Sequence, residues 1–330
     1  MEIIIIKPLD FHHHLRQHKM LNFSAQEAEK VYAGVLAMPN TVPPITTPGQ
    51  LETYLKVIEE AAPSLKIFPT FRVMPDMSEQ SVKGLAKAGA VAGKFYPEGA
   101  TTNSEGGGNI SSCYHVFEAM EKHGIVLSIH GEDPEAFVLQ REAAFLPHIE
   151  KVHSAFPKLK IIVEHVSTKE AVRFVESCSE NVAATITAHH LSLTLDNVIG
   201  GLIEPHNFCK PVVKTPEDRF AIQKAAIKGK GKFFFGSDSA PHPRNRKESE
   251  AGPAGVFTTP VAVPAVAEIF EKHNSLSELE NFLHYWGAAF YGVEGTADKV
   301  TLAKEKWTVP EEYNGVVPLF AGKTLQWKLK

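Results

Sequence analysis

Ile125-Val126-Leu127-Ser128-Ile129-His130 is an apolar run of strand length that stops on a histidine, and Ile161-Ile162-Val163-Glu164-His165 repeats the arrangement. Hydrophobicity in these runs is nearly continuous rather than alternating. That is the mark of strands buried on both faces, as in parallel sheets. Similar runs occur at residues 3–6, 35–38, 67–71, 91–95, 182–186 and 233–235, which makes eight in all. The segments between them read as helices. Residues 50–62 are stopped by Pro63. Residues 111–123 run into Gly124, a C-cap placement. Ser167-Thr168-Lys169-Glu170 can cap a helix that continues to Ser177, and residues 216–228 end at Gly229. Eight strand–helix units predict an α/β fold, a (β/α)8 barrel of the TIM type. A doubly wound sheet is the rival fold, but no G-x-G-x-x-G follows the first run. No linker, repeat or low-complexity tract divides the chain, so residues 1–330 read as one domain. An extension from about Gly295 lies outside the eight units. Within it, residues 324–329 alternate like a half-buried edge strand.

Bulk properties narrow the partners. A net charge of -4 offers no basic face to nucleic acid or anionic lipid. Ile3-Ile4-Ile5-Ile6 runs straight into Lys7-Pro8 and is too short for a signal sequence or a membrane span. The three cysteines are odd in number and have no metal spacing, which suits reduced thiols in a cytoplasm. Nucleic acid and membrane partners are therefore not expected.

Several runs end on residues that bind metals. His12 and His14 are two apart, so a strand would put both imidazoles on one face and turn His13 to the other. His130, His165 and Asp238 stand at further strand ends, and the C-terminal rim is where such barrels do chemistry. Imidazole and carboxylate suit zinc and similar divalent ions. Each histidine taken singly also suits a hydrogen-bonded core role, and Asp238 suits a helix N-cap. Beside a metal, Asp238 would serve as ligand and general base. Lys94 ends the run Ala92-Gly93-Lys94-Phe95 and would enter an apolar mouth. Burial and positive neighbours favour its neutral amine. A neutral amine reacts with carbon dioxide to give a carbamate that can bridge two metals. The alternative is a lysine that reaches out to solvent.

Taken in order, these residues resemble the amidohydrolase superfamily, and more closely its bacterial and fungal type of dihydroorotase. The resemblance rests on Asp10-Phe11-His12-His13-His14-Leu15-Arg16, Met38-Pro39-Asn40, Gly93-Lys94-Phe95-Tyr96-Pro97 and Ala100-Thr101-Thr102-Asn103-Ser104. It continues through Ile129-His130-Gly131-Glu132, Glu164-His165-Val166-Ser167-Thr168 and Gly236-Ser237-Asp238-Ser239-Ala240-Pro241-His242. Arg246-Lys247-Glu248, Gly252-Pro253-Ala254-Gly255 and Pro318-Leu319-Phe320-Ala321-Gly322 carry it nearly to the end of the chain.

The resemblance implies reversible closure of N-carbamoyl-L-aspartate to L-dihydroorotate in pyrimidine (UMP) biosynthesis. It implies two divalent ions, zinc first. One would be held by His12, His14, carboxylated Lys94 and Asp238, the other by Lys94, His130 and His165. A hydroxide bridging the ions would attack the ring amide, with Asp238 as proton shuttle. Arg16, Asn40 and His242 would grip the substrate carboxylate, and backbone near Lys210 and Ala254 would meet the ring. Thr101 and Thr102 would lie on a closing loop, for which Gly106-Gly107-Gly108 supplies freedom. Two positions depart from the usual pattern: His13 replaces an apolar residue, and Lys210 stands where leucine is expected. A homodimer is allowed for. The rivals are a hydantoinase- or allantoinase-like cyclic amide hydrolase and a non-catalytic structural relative. The carboxylate grip argues against the first, and the complete ligand set against the second.

Overall fold

The computed structural model of the chain describes residues 1–100, 106 and 108–330. The opening isoleucine run forms β1 (Glu2–Ile6), which lies outside the barrel. The barrel begins one strand later. Its members are β2 (Leu9–His13), β3 (Gly34–Ala37), β4 (Lys66–Arg72), β5 (Ala92–Phe95), β6 (Val126–Ile129), β7 (Ile161–Val163), β8 (Val182–Ile186) and β9 (Phe233–Phe235). Consecutive members pair in parallel, in the order of the sequence. The expected barrel and strand number are thus present, and seven of the eight runs are its strands.

The eighth assignment is corrected. Lys7-Pro8 ends the isoleucine run, and β1 pairs antiparallel with β10 (Lys299–Ala303), leaving Ile4 67% exposed. The true first barrel strand carries Asp10, His12 and His13, all buried, so it does not read as an apolar run.

Two short strands follow, β11 (Trp307–Thr308) and β12 (Thr324–Leu325), paired with each other. The last, β13 (Lys328–Leu329), adds to β10. The expected edge strand at 324–329 is therefore split between two sheets. Its alternation survives in Leu325 and Trp327, which are both buried.

Helices form where capping chemistry places them. The predicted 50–62 helix spans Pro48–Ala61, with Thr47 and Gln50 in a reciprocal capping box. Thr215 and Asp218 do the same for Pro216–Lys228. Thr168 accepts the Ala171 N–H at 3.1 Å and starts Lys169–Ser177. The 111–123 segment begins as a 3-10 turn, Ile110–Cys113, and continues as Tyr114–His123 to a left-handed Gly124. No helix among the described residues is long and apolar enough to cross a membrane.

The barrel interior is filled by Leu9, Phe11, Phe68, Ile162, Phe234 and their neighbours. The helix Trp286–Tyr291 closes its lower end, where Tyr291 stacks on Phe11 at 5.3 Å. Gly287 is required there, since a Cβ would stand 2.2 Å from the Phe11 ring.

Candidate metal centre

The residues of β2 divide into two jobs through a register shift. Asp10 to His13 lies opposite Val35 to Ala37, so β2 carries one extra residue. Such a bulge re-aims side chains. Phe11 joins the inner core, while His12 turns to the mouth with His14. His13 faces the helical layer, edge-on to Tyr32, and its Nδ1 lies 2.6 Å from Asp10 Oδ2. The expected split between His13 and the other two histidines holds.

The barrel closes through the same residues. The Asp238 N–H donates to the His12 carbonyl at 2.8 Å, and the His14 N–H donates to the Ser239 carbonyl at 3.1 Å. Asp10 Oδ1 accepts the Ser237 N–H at 2.7 Å. Gly236 passes so close to His12 that a Cβ would sit 2.9 Å from its Cβ. Asp238 and His165 both adopt positive φ, 44° and 41°, as does Arg16 at 64°. Non-glycine residues in that region cost on the order of 1–3 kcal/mol each and concentrate at functional sites. Asp238 is no helix N-cap.

Nitrogen and oxygen atoms converge above this seam. Ligand atoms of His12, His14 and Asp238 all lie within 4.8 Å of one another, with Asp238 Oδ1 3.1 Å from His14 Nε2 and 3.5 Å from His12 Nε2. His130 Nδ1 and His165 Nε2 are 3.1 Å apart, and the His165 ring lies 5.0 Å from that of His12. All five predicted ligand side chains are thus brought together. Burial lowers the basicity of His14 to about 4, and also lowers that of His130 and His165. Neutral imidazole is the form that binds metals. Burial pushes Asp238 up, but His12 and His14 outweigh it and hold the carboxyl well below its usual range.

Lys94 is 0% exposed, and its Nζ has no hydrogen-bond partner among the described residues. The nearest carboxylate oxygen, Glu164 Oε1, is 3.9 Å away. Burial lowers the amine to about 8 against the pull of Glu164 and Asp238. It does not reach solvent, so the outward-pointing alternative is ruled out. A buried, unbonded amine beside five converging donors fits a lysine that has taken up a carboxyl group.

Behind the ligands stand carboxylates to which the sequence reading gave no role. Glu164 Oε2 lies 2.7 Å from His12 Nδ1 and accepts the Thr185 hydroxyl at 2.5 Å, while Ser128 donates to Oε1. Burial pushes Glu164 up, yet His12 and Lys94 hold it at about 2. Glu132 Oε2 lies 2.8 Å from His130 Nε2. Such partners fix the ring and tautomer of a ligating histidine. Their signal in the sequence is a buried acid one or two residues from a ligand, as in Glu164-His165 and His130-Gly131-Glu132.

Arg16, Asn40, Lys210 and Ala254 border one cavity with His12, His14, His130, His165 and Asp238, and His242 stands behind Arg16. Arg16 is partly buried; its Nε donates to the Pro241 carbonyl at 3.1 Å and Nη2 lies 2.9 Å from His242 Nε2. Neither partner is a carboxylate. His242 Nε2 is also 3.1 Å from the Ala254 carbonyl, so its tautomer decides which neighbour it serves. Burial and Arg16 lower His242 to about 3. Asn40 lines the cavity, and its side-chain oxygen is 2.9 Å from His14 Nδ1. Lys210 and Ala254 form part of the wall. Thr101 and Thr102 lie outside the described residues, as does Gly107. Gly106 and Gly108 take positive φ, 74° and 65°.

A parallel barrel with histidines and an aspartate on its rim defines an amidohydrolase, and the amidohydrolase family matches residues 10–254. Dihydroorotase of Shewanella pealeana is 39% identical over 341 residues, covering 100% of this chain and 99% of that protein. The crystal structure of dihydroorotase from Saccharomyces cerevisiae, in complex with 5-fluoroorotic acid, superposes with a TM-score of 0.94 at 36% identity, covering 100% of this chain and 98% of the other. L-Hydantoinase of Arthrobacter aurescens, at 17% identity and a TM-score of 0.83, covers 99% of this chain and 83% of its own and shares the fold. The chain belongs to the dihydroorotase family of amidohydrolases, hydrolases that act on cyclic amides.

Proposed function

We propose that the chain interconverts N-carbamoyl-L-aspartate and L-dihydroorotate in pyrimidine biosynthesis, using the cavity at the barrel mouth. The observation that carries this reading is the pairing, in one cavity, of a candidate ligand set with a guanidinium that has no carboxylate partner among the described residues. A cyclic amide bearing a free carboxylate matches both halves. Guanidinium binds carboxylate through paired hydrogen bonds. In this reading Arg16 holds the carboxylate with Asn40 and His242, and backbone at Lys210 and Ala254 borders the ring.

The ligand set suits two divalent ions, zinc first, with His12, His14 and Asp238 on one side and His130 and His165 on the other. Lys94 carboxylated on Nζ would be shared between them. When bound, such ions acidify a water and polarise a carbonyl. The chain's own residues do the rest. Asp238 takes a proton from the attacking water and returns it to the departing ring nitrogen. Glu164 and Glu132 keep His12 and His130 aimed. Residues 1–330 act as one domain in a cytoplasmic homodimer, with the three cysteines free.

Ring closure takes up one proton and releases one water, so each unit rise in pH shifts the equilibrium about tenfold toward the open form, roughly 1.4 kcal/mol. The test follows dihydroorotate absorbance at two pH values, with hydantoin and allantoin as controls. Turnover of dihydroorotate with that pH shift is expected. Turnover of the controls alone would transfer the chain to the hydantoinase-like reading.

A further inference from the structure

A second group of metal-binding side chains lies outside the set described above. His189 and His190 belong to the short helix Ala188–Ser192 that follows β8, and Cys209 precedes Lys210 of the cavity wall. All three are buried, and one ligand atom from each lies within 4.8 Å of the others. His189 is the informative member. It is 0% exposed, and neither ring nitrogen has a hydrogen-bond partner among the described residues. A buried polar group left unsatisfied keeps its full desolvation penalty, so each such group calls for a physical reason. The substrate cavity does not supply one, because His189 is not among its lining residues. Imidazole with thiolate is a donor set that zinc accepts, and cobalt(II) can replace zinc as a coloured probe.

We propose that His189 and Cys209, joined by His190, form a separate, sulfur-containing site for a transition-metal ion of the zinc type. Binding breaks the Cys209 S–H bond, which now points to the Pro211 carbonyl at 3.2 Å. The proton leaves to solvent and the sulfur lone pair forms the bond to the ion, with no change of oxidation state. His189 contributes a lone pair without giving up any bond. His190 is held at both nitrogens, by Thr187 Oγ1 at 2.9 Å and by the Pro211 carbonyl at 3.0 Å. It joins when the Thr187 hydroxyl turns away from Nδ1. The ion then ties the helix after β8 to the loop that carries Lys210, stiffening one wall of the cavity.

The test titrates the full-length protein with cobalt(II) and follows the thiolate-to-cobalt charge-transfer absorption in the near ultraviolet. Bound cobalt is counted after gel filtration. Wild type is expected to show the band and to hold about one ion more per chain than Cys209→Ser. His189→Gln is expected to lose the band as well, and Cys178→Ser to keep it. Circular dichroism of each variant separates loss of the ion from loss of the fold, and His189→Gln stands in should Cys209→Ser misfold. A wild type without the band at saturation overturns the proposal. So does a band that survives in His189→Gln, or one that disappears only in Cys178→Ser. None of these outcomes depends on which cyclic amide the enzyme turns over.

Discussion

Asp238 is at once a backbone stitch in the barrel, a neighbour of two imidazoles and the proposed carrier of the reaction's proton. Asp238→Asn keeps the shape and the backbone bond but loses the base. Turnover of dihydroorotate is expected to fall 10²–10⁴-fold, the usual share of acid–base catalysis, with circular dichroism unchanged. Glu164 acts one step back. Glu164→Gln should weaken divalent-metal affinity about 10–100-fold in chelator competition, because His12 loses its charged partner. Glu142 offers a different kind of test. It accepts the Ser167 N–H at 2.8 Å and the Thr168 hydroxyl, and burial raises its carboxyl to about 7, only partly opposed by Lys214. The folded chain therefore holds a proton that the unfolded chain releases near 4.5. Stability from this proton is full below that lower value and drains away as pH rises through about 7. Between pH 5 and pH 8, wild type should lose on the order of 2 kcal/mol more stability to denaturant than Glu142→Gln.

Among the elements, the helix Trp286–Tyr291 is the plug of the barrel, and Gly287 is where it meets the Phe11 ring. Gly287→Ala inserts a methyl group into a filled core, and overpacking of this kind costs about 1–3 kcal/mol. A lower denaturation midpoint is expected, while metal content after dialysis stays normal. Seven barrel strands were legible in the sequence because strands buried on both faces leave continuous apolar runs. The remaining one, β2, was not, because its buried Asp10 and His12 are satisfied by Ser237 and Glu164, 227 and 152 residues away. Local hydrophobicity carries no trace of such partners. Of the candidate ligands, Lys94, His130, His165 and Asp238 were legible because each stands at or just past the end of a run, and His12 and His14 because of their two-residue spacing, whereas the job of Glu164 and Glu132 appears only once the strands stand side by side. The bulge in β2 was equally hidden, since the alternation of His12 and His14 looks the same with or without it.

At the scale of the whole molecule, the two ends of the chain meet away from the barrel mouth, in the sheet of β1, β10 and β13. Trp327 anchors this region at 0% exposure. Its Nε1 donates to Glu271 at 3.1 Å, and its carbonyl accepts the Trp307 indole Nε1–H at 2.6 Å. Trp327→Ala should cost about 3–5 kcal/mol in a denaturant series, the range for emptying a buried aromatic site. The Michaelis constant for dihydroorotate in the surviving folded fraction should not move, because the cavity lies elsewhere.

The seam between β2 and β9 also bears on how the protein is made. His12 and His14 leave the ribosome long before Asp238, and Asp10 must wait for Ser237, 227 residues later, before the circle can close. Until then a nascent chain already owns most of its imidazoles yet has no place where they converge. In the proposed scheme an ion that needs His12, His14 and Asp238 together waits for a barrel translated through its last strand. Metal uptake at that set would then report completion of the barrel.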